Sequence, residues 1–275
     1  MATFHLHVGK VGRSEGRSAI AASAYRSCSK LYDPEQNKNY NFLPKRNQLI
    51  KSGITFPEQA KLDRPEQEIR QELWTKAHEA DRRKNSVLAR ELTIALPKEL
   101  EREQLIDLTQ TFAQFIADSY KVAVDFAIHS PKDSQNVHAH LLFTTREIEI
   151  CDHELTLGQK TRKLDDKKTG AQEIEKIRQT WEELCNSFLL PLNLSISRKS
   201  QKDKGKKANP YLKRESYYLA KRGILTPTAE RQLNQTATVS PQESARATLL
   251  LEEPEKLSQK QKQKEENYRG GIEIE

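Results

Sequence analysis

The chain has 275 residues, 35% of them hydrophobic and 31% charged, with a formal net charge of +7. Counting its ten glycines as apolar raises the apolar share only to about 39%, below the roughly 45–50% of an ordinary globular chain, so part of it is expected outside any core. No apolar run approaches the roughly 18 residues of a membrane span, which excludes membrane insertion.

The opening MATFHLHVGK lacks the apolar stretch of a secretory signal. Cys28, Cys151 and Cys185 are odd in number and far apart, so they outline neither a disulfide framework nor a zinc ribbon. A reducing cytoplasm is the expected compartment. The charge is concentrated. Residues 198–222 carry ten Lys or Arg against two acids, a net +8, and the rest of the chain is close to neutral. A basic segment on a neutral body points to a polyanionic partner, with a solvated linker as the plain alternative.

In chain order, residues 3–9 (TFHLHVG) alternate as a strand, and GRSEGRS reads as a loop. Ser18 can then cap an alanine-rich helix, AIAASAYRSCSKL. Residues 33–60 are polar and rich in Pro and Asn, so they read as an excursion. A helix is expected over 65–82, presenting Ile69, Leu73 and Trp74, followed by a strand over 87–96 that Pro97 closes. Leu105, Leu108, Phe112, Phe115 and Ile116 recur at helical spacing, and strands follow at 121–129 and 137–145. After a polar, lysine-rich stretch, a helix near 171–190 aligns Ile174, Ile177, Trp181, Leu184, Cys185 and Phe188. Beyond about residue 228 the composition is that of a disordered or loosely helical tail.

The pattern richest in chemistry is His129 followed by His138-Ala139-His140. Alternation along a strand sends His138 and His140 to one face, and a hairpin would return them beside His129. Three imidazoles with open positions make a catalytic metal site; surface or satisfied histidines are the alternative. Glu91 lies within the 87–96 strand. There it can orient a ligand histidine, take a proton, or simply pair with Arg90 or a lysine. Tyr25 sits late in the alanine-rich helix. Its phenol, with an ordinary pKa near 10, becomes a useful nucleophile only beside a charge-offsetting cation; packing is the ordinary role. Arg13, Arg17, Arg26 and Lys30 around it favour an anionic substrate.

The blocks FHLHVGKVGRSEGRSAIAASAYRS, NSVLARELTIALPKEL, HSPKDSQNVHAHLLFTTREI and IRQTWEELCN, in this order, resemble the MobA/MobL relaxases of mobilizable plasmids, the MOBQ group of the HUH endonucleases. The likeness spans residues 3 to about 190. It implies an α+β fold with a central antiparallel sheet flanked by helices, mainly on one face. It implies an enzyme that nicks one strand at a plasmid origin of transfer through a 5′-phosphotyrosine intermediate. Tyr25 then matches the nucleophile, His129, His138 and His140 the ligands of a divalent ion, and Glu91 the acid assisting a ligand histidine or the tyrosine. Mn²⁺ or Mg²⁺ is the implied metal, although imidazole ligands also suit other transition ions.

The implied partners are single-stranded or locally melted origin DNA, accessory mobilization proteins and the transfer coupling machinery. Val137 stands where the family usually has proline, and the chain leaves the familiar pattern after residue 190, with no primase or helicase following. The expected layout is a nuclease domain over 1–195, a basic DNA-contacting segment over 196–228 (Lys206, Lys207, Lys213, Arg214) and a polar tail over 229–275. A replication-initiator or transposase nuclease, and an accessory protein that binds DNA without cutting it, are the competing readings.

Overall fold

The computed structural model describes residues 3–131, 136–151 and 153–199. The chain divides into Met1–Arg198, which holds every element below, and Lys199–Glu275. Lys206, Lys207, Lys213, Arg214 and the polar tail therefore lie outside the described residues.

The elements are β1 (Leu6–Gly12), α1 (Ala19–Arg26), β2 (Lys30–Asp33), β3 (Lys38–Asn41), β4 (Leu49–Thr55), α2 (Glu66–Ala80) and β5 (Val87–Ala95). They continue with α3 (Arg102–Tyr120), β6 (Val124–His129), β7 (His138–Thr144), β8 (Arg146–Cys151), β9 (Glu154–Lys160) and α4 (Gly170–Leu189). Five strands form one sheet in the order β1-β5-β7-β6-β4, every neighbouring pair antiparallel. This is the α+β architecture expected. No helix among the described residues is long and apolar enough to cross a membrane.

Strand alternation divides the sheet into two unlike faces. Leu92, Ile94, Phe126, Ile128, Leu141 and Phe143 point to the side where α3 and α4 pack, and the Phe112 and Trp181 rings meet there at 4.9 Å. Full burial of each such side chain contributes about 1.5–3 kcal/mol, so this apolar face carries much of the stability. The opposite face takes α1 and α2, with Ile20, Ala24, Leu73 and Trp74 buried against Leu142. The helices thus cover both faces, correcting the expectation of one. The second face stays partly polar, and Glu91 and the three histidines lie on it.

Three local expectations are also revised. The excursion over 33–60 contains the β2–β3 hairpin and the edge strand β4. Gly53 disguises β4 as a loop: a Cβ there would lie 2.7 Å from Cζ of Phe126, so the ring lies where a side chain would be. The polar stretch after β7 forms the β8–β9 hairpin, which buries Ile148 and Leu155. Lastly, α1 stops at Arg26, because Cys28 adopts a left-handed backbone (φ 50°) before β2 begins. Tyr25 therefore sits on the helix's last turn, and Tyr32 on a separate strand.

Candidate active site

The β6–β7 pairing sets His129 directly opposite His138, and alternation carries His140 to the same face while Ala139 enters the core. The three rings converge with centroids 5.7, 5.7 and 5.1 Å apart. Each ring is held through Nδ1. That of His138 donates to the Asn136 carbonyl at 2.9 Å, and that of His140 to Glu91 Oε1 at 2.9 Å, with Thr93 Oγ1 at 3.3 Å. His129 bonds the Arg26 carbonyl, and its Nε2 is buried without a partner, so Nδ1 makes that bond. Carbonyl and carboxylate oxygens only accept, which fixes the proton on Nδ1 and leaves the Nε2 lone pairs for a ligand.

Burial above all, and then the neighbouring His140 and His138, push His129 down to about 4. Burial likewise lowers His138. Neutral imidazoles are the form that binds metal. A ring bound at about 2.1 Å has its centroid about 3.2 Å from the ion, and three such rings stand about 5 Å apart. Among the described residues no group of three His, Cys, Asp or Glu donors stands close enough, as placed, to hold a metal ion. An orphaned buried Nε2 and three oriented tautomers fit a divalent cation.

Glu91 projects from β5 onto the same face, beside Thr93, which is paired with His140. Its carboxylate receives Arg26 Nε at 2.6 Å on Oε1 and lies 2.5 Å from the second Arg26 nitrogen on Oε2. Burial raises its pKa, but the hydrogen bond from His140 and the Arg26 charge outweigh that and hold it at about 2. A carboxylate held so low is a weak base at neutral pH. Its carboxylate both accepts from the His140 ring and pairs with the Arg26 guanidinium. Arg90 points to the other face and pairs with Asp165 at 2.5 Å.

The helix bearing Tyr25 is fastened along its length. Ser18 Oγ accepts from the Ala21 amide and donates to Asp33, and the Ala19 amide donates to His78 Nε2 at 2.9 Å. Mid-helix, Ser23 Oγ donates to the buried Asp125, which also receives Arg70 and the Trp74 indole. At the end, Arg26 binds Glu91. Tyr25 itself remains 46% exposed, its ring edge-on to Phe42 at 5.2 Å with the Lys45 ammonium 4.2 Å over its face. Tyr32 donates its hydroxyl to Asn37.

The expected anion-binding cations do not form one patch. Arg13 is engaged by Glu35 and by the Asp81 and His78 carbonyls, and Arg26 by Glu91. Arg17 is exposed near Glu15, and Lys30 is exposed on β2. Lys45, Phe42, Ser23 and Asp125 join the site without having stood out in the sequence. Asp125 alone leaves a trace there, as a charge inside the apolar run KVAVDFAIH.

The five-stranded antiparallel sheet thus carries three convergent histidines beside the end of the short helix that bears Tyr25. The sequence profile of the MobA/MobL family matches residues 17–215, and the chain belongs to that family. The match continues past residue 190, beyond the expected end of the likeness. Mobilization protein MobL of Acidithiobacillus ferridurans is 30% identical over 69% of this chain and 55% of its own length. A probable conjugal transfer protein TraA of Sinorhizobium fredii is 29% identical over 54% of this chain and 14% of its own. The chain thus spans about half of the first relative and a small part of the second. A solved structure described as the molecular basis of vancomycin resistance transfer in Staphylococcus aureus is also similar. It has 30% identity and a TM-score of 0.61, over 72% of this chain and all of that one.

Proposed function

We propose that the chain is a relaxase of the MOBQ group of HUH endonucleases, acting in the cytoplasm on single-stranded or locally melted plasmid origin DNA. The observation that carries this reading is the placement of an exposed tyrosine one residue before Arg26, whose backbone and side chain both engage the three-histidine cluster. The phenolic oxygen of Tyr25 attacks the scissile phosphorus. The new O–P bond forms as the bond from phosphorus to the 3′-oxygen breaks; the phenol loses its proton and the departing oxygen gains one. The products are a 5′-phosphotyrosine and a free 3′-hydroxyl, and the exchange is reversible.

His129, His138 and His140 would hold a divalent cation, which when bound offsets charge developing on the phosphate oxygens. Nitrogen donors suit Mn²⁺ better than Mg²⁺, and other transition ions also match them. Glu91 keeps the His140 tautomer, and the fastened helix supplies orientation. Accessory mobilization proteins and transfer coupling machinery are the expected partners.

The test uses an origin oligonucleotide with Mn²⁺. The unaltered chain should yield a covalent species that survives denaturation, joined through the 5′ side of the cut. Tyr25→Phe should fold, bind DNA and form none, a loss to below detection, whereas Tyr32→Phe should match the parent. An adduct mapping to Tyr32, or free hydrolysed ends with Tyr25→Phe still active, would overturn the mechanism.

A further inference from the structure

Arg26 reads in the sequence as one of several cations near the tyrosine, yet every nitrogen of its guanidinium is engaged within the protein. Nε and one terminal nitrogen grip the two Glu91 oxygens at 2.6 and 2.5 Å, and the other donates to the Ala22 carbonyl at 2.8 Å. The Glu91 oxygen that takes Nε also takes the Nδ1–H of His140. The carbonyl of the same arginine receives His129. Arg26 and Glu91 side chains are only 16% and 14% exposed, so parting them would leave a largely buried carboxylate without its counter-charge.

We infer that Arg26 is a positioning residue that sets the metal affinity of the histidine cluster and couples that site to the helix of Tyr25, rather than a ligand for DNA. The inference rests on reading the three histidines as a metal centre. Two of the three rings take their orientation from this residue, His129 through its backbone and His140 through Glu91. Groups that orient metal ligands typically change affinity by about 10–100-fold when removed. The link is also reciprocal: an ion that steadies His129 and His140 steadies the end of α1, and a steadied α1 favours the ion.

The experiment titrates Mn²⁺ into the full chain in the absence of DNA, reading free Mn²⁺ by electron paramagnetic resonance, with amide hydrogen exchange across α1 in parallel. Arg26→Gln should weaken Mn²⁺ binding by about 10–100-fold. Arg26→Lys should recover only part of this, since lysine keeps the charge but lacks the two-pronged grip. Arg64→Gln, a control at an arginine that pairs with Glu72, should bind like the parent. Mn²⁺ should slow exchange at the Ser23–Ser27 amides of the parent, and this slowing should vanish in Arg26→Gln. The double variant Arg26→Gln, Glu91→Gln should bind little more weakly than the worse single variant, because both act through one series of hydrogen bonds.

Should Arg26→Gln not fold, Arg26→Lys and Glu91→Gln carry the same test. Parental binding that depends on His129 together with undiminished affinity in the Arg26 variants would overturn the inference and leave the metal centre standing. Absence of histidine-dependent Mn²⁺ binding in the parent would remove both. DNA affinity in chelator that falls on Arg26→Gln while Mn²⁺ affinity holds would return Arg26 to a DNA-contacting role.

Discussion

Asp125 shows how much a single residue can organise. Its carboxylate receives Ser23 at 2.5 Å, the Trp74 indole at 2.9 Å and Arg70 Nε at 3.0 Å, all in the buried layer between the sheet and the two helices that cover it. The same strand carries His129 four residues on, so one short segment anchors the tyrosine helix and supplies one ring of the histidine cluster. Asp125→Asn replaces an acceptor oxygen with a donor and leaves the buried Arg70 facing only Glu66. Urea unfolding should register a loss of about 3–5 kcal/mol. Ser23→Ala removes one hydrogen bond and should cost about 1 kcal/mol, because Asp125 keeps its other partners. Equal losses in the two variants would show that the ion pair contributes nothing beyond the hydroxyl bond.

At the scale of elements, Asp81 ties the end of α2 to the β8–β9 hairpin through Arg146 at 3.3 Å and Lys160 at 3.1 Å. Burial raises its pKa, but the hydrogen bonds from Lys160 and Arg146 outweigh this and leave it below the ordinary value. A depressed carboxylate stabilises the fold above its unfolded pKa, near 4, and loses that contribution as pH falls through the folded value. Asp81→Asn should therefore cost about 1–3 kcal/mol at pH 7, with the gap to the parent closing below pH 4. Denaturant midpoints from pH 7 to pH 2 check this; a gap that stays constant with pH would mean the charge is immaterial. The hairpin reads poorly in sequence because Ile148 and Leu155 are buried amid charged neighbours, so the segment looks like a linker.

Across the described residues as a whole, the two faces of the sheet differ in polarity. The face under α3 and α4 is largely apolar, with Arg90 as a buried charge on it, whereas the face under α1 and α2 grades from the Asp125 cluster to the three histidines. The proposed DNA contribution of Lys206, Lys207, Lys213 and Arg214 can be tested in the full chain by changing all four to glutamine. Binding to related and unrelated single strands should weaken alike, and the salt slope should fall by about 0.7 for each phosphate that is no longer neutralised. An unchanged slope would make these residues a solvated linker.

Periodicity and alternation are local properties, and they suffice for much of this protein. The apolar stripes of α2, α3 and α4 are legible because each is a repeat within one element, and His138 and His140 have to share a face because alternation permits nothing else. The relaxase resemblance then singles out Tyr25, His129 and Glu91 from sequence alone. What sequence does not decide depends on packing between distant segments. Arg26 meets Glu91 across 65 residues, Ser23 meets Asp125 across 102, and Lys45 comes to rest over Tyr25 only because an unpromising excursion contains an edge strand under Phe126. Charge alone makes Arg26 a candidate for DNA. Only the tertiary structure, by burying a carboxylate within reach of its guanidinium, turns that charge inward, since a buried carboxylate left without a counter-charge is strongly destabilising.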